Sequence, residues 1–300
     1  MEQRFDNFKA GLVAVVGKPN VGKSTLINRY LGEKISIISP KPQTTRNRIL
    51  AILNQDNYQI IFVDTPGIHE PKHLLGKYMV REAESSLEDA DVILVMLDAT
   101  TGIEPEDRHL LELVSEYEKK KTLAVNKIDA INKPELLPIL DEVRKIAEFD
   151  EYIPISALEG ENTDLLLQKI VEFLPQSPPL YPQDQLSDKP QKFHVAELIR
   201  EKILENTYEE IPHSVAVVVD EFKEREEKNL IYIKAIIYVE RPSQKKIIIG
   251  HDGKMLKKIG TKARMEIERF LGRRVFLDLW VKVYEKWRRD SMALNRLGYK

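Results

Sequence analysis

The sequence predicts an α/β protein of two domains, in which a doubly wound, largely parallel sheet is followed by a smaller α+β domain. Apolar runs alternate with helical patterns through the first half of the chain, as in parallel strands joined by crossover helices. A stretch with five prolines in 17 residues, at 174–190, then interrupts both patterns. Since 300 residues suffice for two cores, we predict a first domain at 1–174, a linker at 175–191 and a second domain at 192–300.

The composition is that of a globular protein, with 42% hydrophobic and 31% charged residues. No apolar run approaches the length of a membrane span, and the acidic start of the sequence is unlike a signal peptide. The absence of cysteine excludes disulfides, thiolate metal sites and a cysteine nucleophile, and the six histidines show no ligand spacing. We therefore expect a cytoplasmic protein.

Charge is distributed unevenly along the chain. The formal net charge is −2, yet residues 245–300 hold 16 Lys and Arg against 6 Asp and Glu. A charge run is often only a solvated face of a domain. Here it coincides with a second motif, described below, which favours a polyanionic partner.

The first domain contains six apolar runs that we predict to be strands. They fall at 12–16, 49–53, 60–63, 92–97, 123–125 and 152–155. Helical periodicity is clearest at 104–119, 134–148 and 163–173. The short gap at 54–57 favours a hairpin, so one edge strand is expected to be antiparallel.

The first strand leads into a G-x-x-x-x-G-K-[ST] phosphate loop, and a helix begins near Lys23. Such a turn points several backbone N–H groups at one spot, which predicts an anion site rather than a simple strand-to-helix connection. Gly17 and Gly22 let the backbone curl around a phosphate. Lys23 can place its ammonium between two phosphates, and Ser24 offers a hydroxyl to Mg²⁺. The candidate nucleotide-binding residues here are Gly17, Lys18, Pro19, Asn20, Val21, Gly22, Lys23, Ser24 and Thr25.

The strand at 60–63 runs into an Asp-Thr-Pro-Gly turn formed by Asp64, Thr65, Pro66 and Gly67. The Asp64 carboxylate can hold Mg²⁺, usually through a water. The Gly67 N–H can contact a γ-phosphate and move when that group leaves. Alone, this sequence is an ordinary β-turn. Its position after a phosphate loop favours a nucleotide site.

The next candidate residues follow the strand at 123–125. Asp129 can accept two hydrogen bonds from guanine, whose N1–H and amino group are both donors, and adenine lacks that pair. Asn126 can orient the loop and reach the purine, and the Lys127 stem can lie over the ring. A helix N-cap by Asp129 is the alternative. The last strand ends at Ser156 and Ala157, where the Ala157 N–H can face the purine O6.

These elements, in this order, resemble the G domain of translation-factor-related GTPases over residues 9 to about 174. The resemblance implies hydrolysis of GTP to GDP, with Mg²⁺ held by Ser24, by Thr45 of a switch I loop at 42–46 and, through water, by Asp64. Thr44 is the adjacent alternative to Thr45. Ras-like enzymes carry a water-orienting Gln after the Asp-x-x-Gly turn, and this chain has Ile68 there.

Asn20 resembles the asparagine of potassium-activated GTPases, in which a monovalent cation replaces an arginine finger. The alternative role for Asn20 is to stabilise the loop. We expect slow intrinsic hydrolysis that is faster in K⁺ than in Na⁺, with Lys23, Thr45 and Asn20 as the catalytic residues.

The second domain has the predicted element order αββααβ, with a G-x-x-G turn between its two middle helices. Its elements are expected at 193–206, 215–219, 230–239, 245–249, 254–271 and 275–283. This order resembles a type II KH domain over residues 192–284. The tail at 284–300 is either a capping helix or an added RNA contact.

The G-x-x-G turn suits single-stranded RNA. Its two glycines allow a phosphate to approach the backbone, and the positive end of the following helix lies at the same place. Lysines of that helix add positive charge. The alternative is a helix-turn-helix hairpin with a solvated face. The candidate RNA-binding residues are Gly250, His251, Asp252, Gly253, Lys254, Lys257 and Lys258, with Ile247, Ile248, Ile249 and Ile259 as an apolar groove floor of which half must face the core.

One G domain, a short linker and one C-terminal KH domain together resemble the Era family of bacterial ribosome-assembly GTPases. The resemblance implies GTP and GDP as ligands, binding to the single-stranded 3′ end of small-subunit ribosomal RNA, and assistance in maturation of the small ribosomal subunit. It also implies peripheral association with the inner membrane, and we expect a monomer. Two alternatives are a nucleotide-sensing RNA-binding module without turnover and a GTPase acting at the membrane surface.

Overall fold

A computed structural model describes residues 7–41, 43–67, 71, 73–225 and 229–299. The chain forms two compact units. The first unit comprises Met1–Ser36, Thr45–Glu70 and Met79–Asp188, and the second comprises Ile37–Thr44, Pro71–Tyr78 and Lys189–Lys300. Two short segments from the amino-terminal half therefore fold with the carboxyl-terminal unit. The predicted domain boundaries stay a proposal.

The first unit is built on a six-stranded sheet in the order β2-β3-β1-β4-β5-β6. Its strands are β1 (Lys9–Val16), β2 (Ile49–Asn54), β3 (Tyr58–Asp64), β4 (Val92–Asp98), β5 (Lys120–Asn126) and β6 (Glu151–Ile155). All neighbours are parallel except β2 and β3, which form the expected antiparallel hairpin at one edge. Every residue of β4 is buried, as expected for an apolar strand covered on both faces. The predicted doubly wound sheet is confirmed.

Five helices accompany this sheet among the described residues: α1 (Lys23–Leu31), α2 (Leu74–Asp89), α3 (Pro105–Ser115), α4 (Leu136–Arg144) and α5 (Thr163–Phe173). At the start of α3, the Glu104 and Asp107 side chains form a capping box, and Pro105 occupies the first turn. Both α3 and α4 are shorter than their periodic patterns. Before α4, a 3₁₀ turn at Lys133–Glu135 takes up the residues around the proline.

The proline-rich stretch is extended and lies along the first unit. Pro175 accepts a backbone hydrogen bond from Ala10 at 3.2 Å, and Leu186 accepts one from Ile52 at 2.9 Å. The Asp188 carboxylate accepts from the Leu50 N–H at 2.9 Å. Up to Asp188 this stretch is therefore attached to the sheet rather than free.

The second unit packs helices on a three-stranded sheet of order β7-β8-β9, in which β7 and β8 are antiparallel and β8 and β9 are parallel. Its elements are α6 (Gln191–Asn206), α7 (Ile211–Ser214), β7 (Ala216–Arg225), β8 (Leu230–Val239), α8 (Pro242–Ile249), α9 (Lys254–Leu271), β9 (Arg274–Val283) and α10 (Ser291–Arg296). The strand β7 extends beyond the predicted 215–219 because its polar half, which lacks an apolar signal, still pairs with β8. The predicted αββααβ order is confirmed, with the short helix α7 added before β7 and α10 added after β9.

The tail after β9 folds back on the second unit. Trp287 is fully buried, stacks on Tyr299 with ring centroids 5.8 Å apart, and donates from its indole nitrogen to the Ser214 carbonyl at 3.0 Å. Of the two predicted roles for the tail, these contacts favour a cap. In the part of the chain that the structure describes, no helix has both the length and the apolar character needed to cross a membrane.

Candidate functional site

The phosphate loop between β1 and α1 is a backbone cradle that admits only glycine at two positions. Gly22 has a φ of +104°, and a Cβ there would lie 2.3 Å from Asn126 Nδ2. A Cβ on Gly17 would lie 2.5 Å from the Met96 carbonyl oxygen. The loop is therefore packed against the ends of β4 and β5, with its concave side left to the backbone.

Lys23 lies at the centre of this cradle. Its ammonium donates to the carbonyls of Gly17 at 2.8 Å and Lys18 at 3.0 Å. Burial lowers the pKa of Lys23 to about 8, although the nearby Asp64 carboxylate acts in the opposite direction. A cation held in this way is suited to a phosphate.

Three oxygen-bearing side chains converge beside Lys23. The Ser24 hydroxyl donates to Asp64 Oδ2 at 3.0 Å and lies 3.2 Å from the Thr45 hydroxyl. Asp64 is fully buried, and its Oδ1 finds no hydrogen-bond partner among the described residues. Burial raises the pKa of Asp64, while the Lys23 ammonium and the neighbouring hydroxyls act against that rise. A buried carboxylate oxygen without a partner, next to two hydroxyls, fits a hard cation such as Mg²⁺.

Thr44 and Thr45 point in different directions. The Thr44 hydroxyl donates to the Lys41 carbonyl at 2.6 Å, and the Thr44 carbonyl accepts a hydrogen bond from Arg200, all within the second unit. The Thr45 hydroxyl instead faces Ser24. The structure therefore favours Thr45 over Thr44 for the predicted magnesium site. No cluster of three or more His, Cys, Asp or Glu that could hold a metal occurs among the described residues.

The Asp-Thr-Pro-Gly turn is buried against the phosphate loop. The Thr65 hydroxyl donates to the Val15 carbonyl at 2.7 Å, and a Cβ on Gly67 would lie 2.6 Å from the Pro19 nitrogen. Gly67 thus brings its backbone to the phosphate loop, as its predicted role requires. The side chain of Thr65 holds β1 and β3 together instead. Ile68, which occupies the glutamine position of Ras-like enzymes, lies outside the described residues.

The predicted base-site residues lie at or just after the ends of β5 and β6. Asn126 is buried and ties two loops together, since its Nδ2 donates to the Val21 carbonyl at 2.6 Å and its Oδ1 accepts from the Ala157 N–H at 2.8 Å. Lys127 has a φ of +69° and forms a salt bridge with Asp98. Asp129 is exposed, in a 3₁₀ turn at Ile128–Ala130. The Ala157 N–H is therefore engaged by Asn126, and its predicted contact with the purine O6 stays a prediction.

Several contacts that position this site were not predicted from the sequence. Lys18 pairs with Asp107 at 2.9 Å and with Glu104, so its side chain faces α3 and only its backbone can serve the phosphate cradle. Arg29 donates to the carbonyls of Leu158 at 3.0 Å and Glu159 at 3.1 Å, which fixes the loop after β6. The spacing of Glu104 and Asp107 could have predicted their capping box, whereas no sequence pattern predicts the contacts of Arg29.

The G-x-x-G turn of the second unit has an open backbone. Gly250 has a φ of +73°, and a Cβ there would lie 2.6 Å from Met255 Cβ, which fixes the turn against α9. Gly253 also has a φ of +73°, but a Cβ there would meet nothing within 4 Å. Asp252 has a φ of +53° and contacts His251 Nδ1 at 2.7 Å. The lysines predicted here, Lys254, Lys257 and Lys258, are exposed on α9. The turn can therefore receive a phosphate closely.

A groove of about 460 Å³ begins at Gly253 and runs between α9 and β9. It is lined by Gly253, Leu256, Lys257, Gly260, Thr261, Arg264, Leu277 and Leu279. Of the four isoleucines predicted as a groove floor, Ile248 and Ile259 are fully buried in the core, as expected for half of them, and Ile247 is exposed, but none of the four lines this groove. The lining comes instead from one face of α9 and from alternate residues of β9. Their helical and two-residue spacings are present in the sequence, but which faces line a groove depends on how α9 packs on β9.

Comparison with known proteins gives two family models that match parts of the chain. A model described as 50S ribosome-binding GTPase matches residues 12–127, which cover the phosphate loop and the base-site residue Asn126. A model described as KH domain matches residues 210–288, which cover the G-x-x-G turn and β9.

Curated relatives match nearly the whole chain. GTPase Era of Syntrophus aciditrophicus (strain SB) is 50% identical over 292 residues, covering 97% of this chain and 95% of the relative. GTPase Era of Carboxydothermus hydrogenoformans is 48% identical over 293 residues, covering 98% of each chain.

Two solved structures are similar over the same extent. A crystal structure of Era in complex with MgGDPNP and nucleotides 1506–1542 of 16S ribosomal RNA has a TM-score of 0.94 and 48% identity, covering 97% of this chain and 99% of the other. A crystal structure of a single-residue variant of Aquifex aeolicus Era bound to GDP·AlF4⁻ has a TM-score of 0.94 and 47% identity, with the same coverage.

Proposed function

The chain belongs to the Era family of GTPases, and on that premise we propose that it is a GTP-hydrolysing switch that binds single-stranded ribosomal RNA. The single observation that carries the proposal is that one chain holds two built sites. One is the cradle with Lys23, Ser24 and Asp64, and the other is the G-x-x-G groove. Relatives named GTPase Era match both over nearly their full length. The products of GTP hydrolysis are GDP and phosphate.

The nucleotide half of the proposal assigns each group a place. The phosphate-loop N–H groups and Lys23 bind the phosphates, Ser24 and Thr45 would hold Mg²⁺ directly, and Asp64 would hold it through water. An ion held there would supply positive charge that stabilises the phosphates during hydrolysis. Asp129 selects guanine by accepting from its two donors. The Asn126 bonds to Val21 and Ala157 keep the base site in register with the phosphate loop.

Hydrolysis is proposed to be slow and stimulated by potassium. Asn20 is exposed in the phosphate loop and has a φ of +67°. We assign it the monovalent-cation role of the potassium-activated GTPases. Initial rates of phosphate release in KCl and NaCl at equal ionic strength test this, with a higher rate expected in KCl. Equal rates in the two salts would contradict the assignment.

The RNA half rests on the second unit. We propose that the 3′ end of small-subunit ribosomal RNA lies in the groove between α9 and β9, with a phosphate at Gly253 and the backbone of the strand near Lys257 and Arg264. An Era 48% identical to this chain was crystallised with nucleotides 1506–1542 of 16S ribosomal RNA, which supports this choice of RNA. Binding there would assist maturation of the small ribosomal subunit.

We propose that the nucleotide site and the RNA groove communicate through two segments of the amino-terminal part of the chain that belong to the second unit. Residues 37–44 end at Thr44, one residue before Thr45, and residues 71–78 follow closely after Gly67. A conformational change at Thr45 or Gly67 on loss of the γ-phosphate would directly displace these adjoining segments.

The deciding experiment measures affinity for a single-stranded oligonucleotide copying the RNA 3′ end, with a non-hydrolysable GTP analogue, with GDP and without nucleotide. Tighter binding with the analogue than with GDP is expected. Equal binding in all three states would leave two unconnected activities, and absence of phosphate release by the purified protein would favour a nucleotide sensor.

We propose that the protein is a cytoplasmic monomer. We also propose that it associates peripherally with the membrane through its basic carboxyl-terminal region, residues 245–300, which contains 16 Lys and Arg and 6 Asp and Glu. Flotation with vesicles containing anionic lipid tests the membrane part. Binding should weaken with salt, and failure to bind such vesicles at low salt would rule it out.

A further inference from the structure

The sheet of the second unit carries aromatic side chains on the face opposite its helices. Along β9, Val275 and Val281 are buried, whereas Phe276 and Trp280 are 56% and 52% exposed. Alternate residues of a strand point to opposite sides, so these two rings share the outer side of the sheet with Tyr232 of β8. We call the outer surface formed by Tyr232, Phe276, Asp278 and Trp280 the aromatic face.

Three strands contribute to one stack on this face. The Arg225 guanidinium lies 5.1 Å from the centre of the Tyr232 ring, and the Tyr232 and Phe276 rings stack with centroids 5.9 Å apart at 18°. The strand β9 is an edge strand, so the stack ends at Phe276. The exposed Phe276 ring at this edge can take one more flat group.

Asp278 fixes the neighbouring rings. Its Oδ2 accepts from the Trp280 indole N–H at 3.0 Å and from the Tyr232 hydroxyl at 3.3 Å. The carboxylate is thus engaged by two donors, and Trp280 is held in a defined orientation. Phe276 and Trp280 are four residue steps apart along the strand, which is about 13 Å between their Cα atoms. The aromatic face therefore has two exposed rings at a fixed spacing.

Cations stand on both sides of these rings. Arg274 and Lys282 lie on the same side of β9 as Phe276 and Trp280, and both are exposed. Lys234, at 2.8 Å from Asp220, lowers the pKa of that carboxyl and Lys282 adds to the effect, whereas Arg274 forms no salt bridge within the described part of the chain. Exposed rings flanked by exposed cations match single-stranded nucleic acid, whose bases stack and whose phosphates are anionic. An apolar protein segment would offer Arg274 no anionic group.

The same strand borders the proposed RNA groove. Leu277 and Leu279 point to the other side of β9 and line that groove. An RNA strand that leaves the groove across the edge of the sheet therefore meets Phe276 and Trp280 next. We propose that the aromatic face is a second RNA contact, on which bases beyond the segment in the groove stack. This inference rests on the proposed function, since it needs RNA in the groove.

The chain offers an optical probe of this contact. It has two tryptophans: Trp280 on the aromatic face, and Trp287, which is fully buried against Tyr299. Oligonucleotides of about 4 to 12 nucleotides, copying the ribosomal RNA 3′ end, would be titrated onto the full chain, because a KH groove clamps about four nucleotides. The longer RNAs are expected to quench the fluorescence of Trp280. Trp280→Phe should abolish the quench and keep the affinity, since phenylalanine preserves a stacking surface.

Affinity, measured by anisotropy of labelled RNA, separates this contact from the groove. Phe276→Ala combined with Trp280→Ala should weaken binding of the longest RNA by at least about fivefold for each base that stacks, and leave the shortest RNA unaffected. Phe276→Tyr should retain affinity and Phe276→Leu should lose it, because leucine keeps apolar bulk without a ring face. Both rings are exposed, so these variants should fold.

The outcomes distinguish the two proposals. If the double alanine variant binds long RNA like the parent chain, or if long RNA leaves Trp280 unquenched, the aromatic face is not an RNA contact and the groove proposal stands. If Phe276→Leu binds long RNA as tightly as Phe276→Tyr does, base stacking on Phe276 is refuted. A protein partner would then better explain the exposed rings. If the parent chain binds none of the RNAs, both proposals fall.

Discussion

The hydroxyl oxygens of Thr45 and Ser24 lie 3.2 Å apart, next to the Asp64 carboxylate. The neighbouring Thr44 hydroxyl donates to the Lys41 carbonyl instead. Two adjacent threonines thus have opposite surroundings. Their substitution by alanine provides a matched pair, because each removes the same atoms one residue apart.

Thr45→Ala should lower GTP hydrolysis at saturating nucleotide by about tenfold or more and raise the Mg²⁺ concentration needed for half-maximal rate, since one oxygen of the candidate metal site is lost. Thr44→Ala should leave both quantities close to those of the parent chain. Phosphate release measured across a magnesium titration checks this. A larger effect at Thr44 than at Thr45 would move the metal site to the other residue.

Asp129→Asn should change base selectivity. In the proposed base site the carboxylate would accept from two guanine donors, whereas an amide offers one acceptor and one donor, which suits xanthine with its carbonyl at position 2. Affinity for GDP should fall by about a hundredfold or more, and affinity for xanthosine diphosphate should rise. Equilibrium binding of both nucleotides to both proteins provides the control within the experiment. Asp129 is exposed, so the fold should persist.

Gly22→Ala should destroy the phosphate cradle. The new methyl would lie 2.3 Å from Asn126 Nδ2, at a φ of +104° that alanine disfavours. Gly32→Ala is the control, because Gly32 also has a positive φ, of +67°, but has nothing within 4 Å of the added Cβ. The control should lose about 1 kcal/mol of stability and keep nucleotide binding. Comparable GDP affinity in both variants would show that the cradle is not as tight as described.

Gly253→Asp should weaken RNA binding by about tenfold or more, because a carboxylate would stand where a phosphate approaches. Gly253→Asn is nearly isosteric, carries no charge and meets the same φ of +73°, with open space around it. It should retain most of the affinity. Titrations at two salt concentrations would show the difference narrowing as salt rises. Equal affinity of the Asp variant and the parent chain would remove the groove from the RNA site.

The residues best predicted from sequence are those at the ends of parallel strands. Asp64 and Asn126 are the last residues of β3 and β5, and Ser24 follows β1 across the phosphate loop. Parallel strands bring their carboxyl ends to one edge, so spacing along the chain converts into proximity. The contacts of Arg29 and Lys18 were not predictable in this way. A surface cation leaves no periodic signal, and its partner is chosen by loops whose paths depend on tertiary packing.

The second unit shows the same contrast. The G-x-x-G turn was recognisable because its glycines adopt positive φ values that other residues resist. The groove lining was not recognisable, because Leu277 and Leu279 have the pattern of any strand residues that face a core. Their role depends on the position of α9. The inclusion of residues 37–44 in this unit was equally hidden, since Ile37 joins the core formed by Leu198 and Ile199 from more than 150 residues away.

Arg200 provides a last prediction, about stability. It is fully buried and forms two hydrogen bonds with Glu197, from Nε at 2.8 Å and from Nη2 at 2.6 Å. Arg200→Met should lower the free energy of unfolding of the second unit by about 3 kcal/mol, because it leaves a carboxylate unpaired in the interior. Adding Glu197→Gln should restore part of that loss.

Arg269 offers the matched control, since it is also paired with a glutamate three residues earlier, Glu266, but is exposed. Arg269→Met should cost less than about 1 kcal/mol. Both tryptophans lie in the second unit, so the change in tryptophan fluorescence during urea unfolding reports on that unit rather than on the whole chain. If the Arg200 and Arg269 variants lose the same amount, the buried pair contributes no more than a surface one, and the anchoring of the Thr44 carbonyl by Arg200 would also be in doubt.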